Sequence, residues 1–354
     1  MISSSSSWMS CLCRRGYGQH LSRPISRWLR RGGAGENHGG IRGGGGGKQR
    51  RRMDQPSAEF LPEETLIQMR DRKLSDLWKP AVFSVGFVGC CFTGSAIWYH
   101  ERRERLFDAK KWSYRQPKRG EFGEELNAVW SKWTDGQKAM VTLVALNGAV
   151  LALWKLAPRM TPLMHRYFTN GFYTEKLCSP LLLSVFSHFS IIHYGLNMYV
   201  LYTFSAPMID RYLGLEQFTA LYLSAGVLSS FAGVAHKALI GSPVKALGAS
   251  GAILGILTYT CCKIPEAQLS IIFLPFFTFS AQAAVYGIIA FDTLGLLLRW
   301  RMFDHAAHLG GSLFGVWYAT RGEKHYLPAR DRIIQRWKEY RRGKSEPPSP
   351  PFSF

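Results

Sequence analysis

The chain has 354 residues, a net charge of +20 and seven cysteines, and its mean hydropathy is −0.06. That average joins a polar, basic segment, residues 1–80, to a largely apolar one, residues 81–319, which is the pattern of a polytopic membrane protein. The cysteines (Cys11, Cys13, Cys90, Cys91, Cys178, Cys261, Cys262) contain no Cys-x-x-Cys spacing, which excludes a disulfide framework or a zinc site. The basic charge comes without zinc-finger or RNP-like patterns, so no nucleic-acid partner is expected.

The chain opens on an arm rich in arginine (Arg14, Arg15, Arg23, Arg27, Arg30, Arg31) and serine (Ser3 to Ser7), with no acid before residue 36. This is the composition of a mitochondrial transit peptide. Residues 32–47 are glycine-rich and lead into the basic cluster Lys48-Gln49-Arg50-Arg51-Arg52. A spanning helix needs about 20 mostly apolar residues. The runs at 82–99, 139–157, 181–205, 218–235, 248–262, 281–298 and 306–320 are read as spans, the fifth being short. The apolar stretch 269–279 contains Pro275 and reads as a loop or a lead-in to the sixth span. The expected fold class is all-α, a transmembrane helix bundle. Its organisation is a transit peptide and flexible arm (1–52), a polar segment (53–81), an extra transmembrane helix (82–99), a polar linker (100–138), a six-helix core (139–320) and a basic tail (321–354), disordered beyond Tyr340.

Residues able to do chemistry are costly inside a span, so each is a functional candidate. Gly248-Ala249-Ser250-Gly251 opens the short fifth span. As a motif it is weak, but a serine at a helix start lies beside unpaired backbone N–H groups and the positive end of the helix dipole. Those features, including the Ser250 backbone itself, suit a developing oxyanion. Asp304-His305-Ala306-Ala307-His308-Leu309-Gly310-Gly311 opens the last span, with Gly315 one turn further on. Gly251 and Gly255 beside the serine, and Gly311 and Gly315 beside the histidine, each form Gly-x-x-x-Gly, which lets helix backbones approach closely. A serine–histidine pair requires that closeness, because Oγ and an imidazole nitrogen must come within about 3 Å. His193 and Asn197 share a helix face four residues apart and both can donate hydrogen bonds, which makes them candidate oxyanion donors. No carboxylate is obviously placed to orient His308; Asp304 and Asp292 are nearest in sequence. A Ser250–His308 dyad is therefore expected, with His308 as general base.

Together, Gly248-x-Ser250-Gly251, the His193/Asn197 pair and Ala307-His308-x-x-Gly311-x-x-x-Gly315 resemble the rhomboid intramembrane serine proteases. Arg166-Tyr167-Phe168-Thr169 resembles the arginine-centred motif of that family's first loop, with His165 where tryptophan is common. The extra span and the transit-like arm fit the family's mitochondrial branch. The resemblance implies Ser250 as nucleophile, His308 as base, His193 and Asn197 as oxyanion donors, and His188 near the mouth of the site. It implies no cofactor and no metal. It also implies single-span membrane proteins as substrates, the inner mitochondrial membrane as location, an inner-membrane protease or scaffold complex as partner, and roles in protein processing, quality control and apoptosis. Leu254 stands where many relatives carry a tyrosine under the catalytic histidine, so His308 must be held in another way. Two rival readings are poorly served: a metalloenzyme lacks His-Glu-x-x-His, and Asp292 and Asp304 lack the motif of an aspartyl protease. Counting spans puts Ser250 and His308 toward the side on which the N-terminus lies.

Overall fold

In the computed structural model the described residues are 63–112, 122–271, 274–300 and 302–345. The expected transit peptide and arm lie outside them. The described chain is helical apart from one β-hairpin. Its elements are α1 (Glu63–Asp71), α2 (Trp78–Trp112), α3 (Phe122–Lys132), α4 (Asp135–Leu156), α5 (Thr161–Tyr167), α6 (Ser179–Leu183), α7 (Ile191–Met208), α8 (Gly214–Ile240), α9 (Ser250–Lys263), β1 (Gln268–Ile271), β2 (Leu274–Ser280), α10 (Ala281–Leu297), α11 (His305–Trp317) and α12 (Glu323–Ser345).

Among the described residues three stretches are long and apolar enough to cross a membrane: Leu74–Asp108, Asp135–Leu156 and Ile191–Ile240. The last is two helices. After Pro207 the chain passes through a π-helical turn, Ile209–Leu213, and swings at Gly214 (φ 72°) into α8. α10 is a shorter apolar helix. Starts and stops follow local chemistry. Thr134 and Gln137 form a reciprocal capping box at the head of α4 (3.1 and 3.0 Å). Ser190 caps α7, Ser280 caps α10 and Asp304 caps α11.

Three expectations need correction. The run 181–205 is not one helix. α6 ends at Leu183, a 3₁₀ turn follows, and α7 begins only at Ile191. The buried polar residues of the break are paired: Ser187 Oγ accepts from Trp154 Nε1 (2.8 Å) and His188 Nε2 pairs with the Asn197 amide (2.9 Å). The stretch 269–279 is neither loop nor lead-in but the β1–β2 hairpin, with Gln268 opposite Ser280 and Leu269 opposite Phe279. Helix also runs past Tyr340, as far as Ser345. α12 leans on α2: Tyr326 donates to Ser95 Oγ (3.1 Å) and Trp337 to Glu101 (2.8 Å). Residues 346–354 are outside the described set. The polar linker, too, is partly helical, through the end of α2 and α3.

The core is built on α8, which packs against α2, α9 and α11. Leu221, Tyr222, Ala252, Ile253, Ile256 and Tyr259 are buried at its centre. At one end of the bundle Arg102 of α2 bonds Asp135 at the head of α4 and Glu216 at the head of α8, while Lys263 at the foot of α9 pairs with Glu323. The opposite end gathers the feet of α8 and α10 with the heads of α7, α9 and α11. α1 reaches the same end, where Arg72 bonds the carbonyls of Thr174 and Glu175.

Candidate active site

α9, with 14 residues, is about 20 Å long at 1.5 Å per residue, short of the roughly 30 Å hydrocarbon core, whereas α11 runs on through the helical turn Tyr318–Gly322 into α12. Glycine decides how near they come to each other. A Cβ on Gly311 would collide with the Gly251 carbonyl, and one on Gly315 with that of Gly255. A Cβ on Gly255 would lie 2.6 Å from Ala225 Cβ and 3.1 Å from the Gly311 oxygen. Backbone thus rests on backbone, and Thr258 Oγ1 of α9 donates to the Ser312 carbonyl of α11 (2.9 Å).

This packing brings Ser250 Oγ to 2.8 Å from His308 Nε2. The two residues are 58 positions apart: Ser250 opens α9, and His308 is the fourth residue of α11. The first helical bond of α9 runs from Ile253 N to Ala249 O (3.0 Å), so the N–H groups of Ser250, Gly251 and Ala252 have no partner within the helix. Gly248, just before, has φ 137°, a value that side-chain-bearing residues avoid, and its N–H donates to Ser184 O (3.0 Å). A Cβ there would sit 3.0 Å from the His193 ring and 3.9 Å from Ser250 Oγ, which puts His193 beside the serine. Asn197 lies one turn further along α7, with its amide on His188 Nε2 (2.9 Å). His188 is fully buried and packs edge-on against His193 (centroids 5.1 Å apart). Ser250, His308, His193, Asn197 and His188 therefore form one cluster at one end of the bundle, the end reached by α1.

Two groups were not assigned a role from the sequence. Asp292, on α10, is 2 % exposed, and its Oδ1 lies 3.5 Å from His308 Nδ1 and 2.8 Å from His305 Nδ1. The reading that no carboxylate is obviously placed to face His308 is changed by this geometry. The ring of Phe303 flanks His308 (centroids 5.9 Å apart, 36° between planes). The available signal was an aspartate inside an otherwise apolar run, which is expensive without a purpose. The surrounding loop is held by Lys237 of α8, which pairs with Asp304, the cap of α11.

Arg166 lies apart from the pair, in the last turn of α5, and is ion-paired with Glu175. It borders a cavity of about 650 Å³ that is also lined by Thr65, Gln68, His165 and Lys245 and does not include Ser250 or His308. Among the described residues no group of His, Cys, Asp and Glu side chains is arranged to hold a metal ion.

Residues 175–323 match the family model of the Rhomboid domain. Over 287 residues the chain is 46% identical to the human "Presenilin-associated rhomboid-like protein, mitochondrial", covering 79% of this chain and 75% of that protein. This chain belongs to the rhomboid family. The zebrafish (Danio rerio) "Presenilin-associated rhomboid-like protein A, mitochondrial" is 39% identical over 316 residues (82% of each chain). The yeast (Saccharomyces cerevisiae) "Rhomboid protein 1, mitochondrial" is 30% identical over 214 residues, 58% of this rhomboid and 60% of its own length. With its apolar helices, this rhomboid is a mitochondrial membrane protein.

Proposed function

We propose that this rhomboid is an intramembrane serine endopeptidase that cuts single-span proteins of the mitochondrial inner membrane. The observation that carries the reading is the 2.8 Å contact between Ser250 Oγ and His308 Nε2, in the first turns of α9 and α11. In this mechanism His308 Nε2 takes the hydroxyl proton as Oγ attacks the scissile carbonyl carbon. The resulting oxyanion is met by the Ser250 N–H and by donors from His193 and Asn197. His308 then returns its proton to the leaving amine as the peptide bond breaks. Water, activated by the same histidine, hydrolyses the acyl-enzyme and regenerates the serine. Asp292 faces the Nδ1 edge of His308 and offsets the positive charge that His308 gains. Its 3.5 Å separation makes this an electrostatic contact rather than a full hydrogen bond in the resting enzyme.

In this reading residues 1–52 are a transit arm, α2 is the extra spanning helix, and α4, α7, α8, α9, α10 and α11 are the six-helix core. α12 projects beyond the membrane on the side away from the site. With the N-terminus in the matrix, the mouth opens to the matrix. Substrate entry from the bilayer is supported by the lipid-facing sides of α7 and α10, which keep Tyr199, Tyr202, Tyr286 and Phe291 exposed. The relatives' printed name, presenilin-associated, makes a membrane protein the partner class to test. Roles in mitochondrial protein processing, quality control and apoptosis follow from the family resemblance.

The test is Ser250→Ala in purified protein reconstituted with a fluorogenic single-span substrate. Cleavage should vanish while the protein still assembles. Turnover near the wild-type rate would overturn the mechanism.

A further inference from the structure

His305 takes no part in the chemistry described above, yet it is 3 % exposed and its Nδ1 lies 2.8 Å from Asp292 Oδ1. The same oxygen lies 3.5 Å from His308 Nδ1. His305 and His308 are three residues apart on one face of α11, and they meet Asp292 and Gly295, three apart on α10. Gly295 supplies the recess for the imidazole: a Cβ there would lie 2.5 Å from the His305 ring. The rest of the ring is enclosed by Phe291, Trp300 and Phe303, with centroids 5.5, 5.9 and 5.9 Å away.

Packing alone does not call for histidine in this setting. The three aromatic walls would accept a phenylalanine ring of similar shape, and imidazole brings two polar atoms that must be desolvated. One of them, Nε2, is buried with no partner among the described residues. An orphaned acceptor is tolerated better than an orphaned N–H, which favours the tautomer with the proton on Nδ1, aimed at Asp292. A carboxylate buried as deeply as that of Asp292 is costly unless it is hydrogen-bonded. The His305 contact is at hydrogen-bond length and the His308 contact is not.

We propose that His305 is a positioning residue: by donating Nδ1–H to Asp292 it fixes the carboxylate against the Nδ1 edge of His308. This inference rests on the reading of Ser250 and His308 as the proteolytic pair. His305 does not touch the substrate. It keeps Asp292 oriented through the step in which His308 takes the Ser250 proton, so that the new imidazolium meets a carboxylate that need not reorganise.

The test uses full-length protein in proteoliposomes and measures kcat and KM on a fluorogenic single-span substrate for His305→Phe, His305→Asn, Asp292→Asn and the double variant His305→Phe/Asp292→Asn. The phenylalanine variant keeps the packing and removes the donor. It should lose at least about tenfold in kcat with KM unchanged. Asparagine, which can donate from its amide, should recover most of that loss. On an Asp292→Asn background, His305→Phe should cost little more, because the two side chains act as one unit. If the phenylalanine variants do not assemble, His305→Ala takes their place in the same comparison. A His305→Phe enzyme within about threefold of wild type, or losses that add fully in the double variant, would overturn the inference. Either result, with Ser250→Ala still inactive, would leave the proteolytic reading standing; an active Ser250→Ala would overturn that reading instead.

Discussion

Adding one methyl group at Gly311 gives the sharpest test of how α9 and α11 deliver the pair. A Cβ at that position would fall well inside contact distance of the Gly251 carbonyl oxygen. A carbon and a carbonyl oxygen rest no nearer than about 3.3 Å. Both partners here are backbone, so no side-chain rotation relieves the overlap. The helices must part by about 1 Å, and they must do so one turn from His308 and directly beside Ser250. A parting of that size would take the 2.8 Å Ser250–His308 contact beyond hydrogen-bond reach. Misplacement of reacting groups by about 1 Å costs on the order of 100-fold in rate, so Gly311→Ala should lower kcat by about that factor. The assay is cleavage of a fluorogenic single-span substrate in proteoliposomes, with fluorophosphonate labelling of Ser250 as a second readout. Gly287→Ala is the matched control: its position on α10 has nothing within 4 Å of the added atom, and it should keep wild-type activity. A Gly311→Ala enzyme within about threefold of wild type would refute the argument that backbone contact sets the reactive distance.

Three further outcomes follow from the same geometry. Asn197→Ala removes a donor candidate and leaves the buried His188 ring without its 2.9 Å partner, so kcat should fall by about 100-fold; a change confined to KM would remove Asn197 from the oxyanion site. Lys237→Met leaves the Asp304 carboxylate unpaired in a largely buried setting and should cost about 3–5 kcal/mol in thermal or denaturant unfolding, much of it recovered by Lys237→Met/Asp304→Asn. Burial raises the Asp304 pKa, but the Lys237 ammonium and the Ala307 N–H outweigh it and hold the carboxyl below its ordinary value. Its stabilising contribution is therefore complete above about pH 4 and is lost as pH falls through the lower folded value. Asp304→Asn should flatten that acid-side loss and leave the slope between about pH 5 and 8 unchanged; a new slope in that upper window would contradict the pairing.

The sequence by itself determined the membrane class, because an apolar run long enough to cross a bilayer is a property of contiguous residues. It also picked out Ser250, His308, His193 and Asn197, since polar residues in such runs are few and expensive. Gly251, Gly255, Gly311 and Gly315 were readable as a close-contact pattern for the same reason: the glycines recur on one helix face. What hydropathy could not supply was the path of the backbone inside an apolar stretch. The break between α6 and α7 and the β1–β2 hairpin are as hydrophobic as a helix, and only their partners, such as Trp154 for Ser187, fix their form. Nor could sequence spacing relate Asp292 to His308, or Lys237 to Asp304. Each pair joins different helices, and its distance is set by how closely glycine and alanine let those helices pack. The choice of reactive atoms was thus local and legible. The third dimension decided what surrounds those atoms: His308 stands against Phe303 and an aspartate from α10.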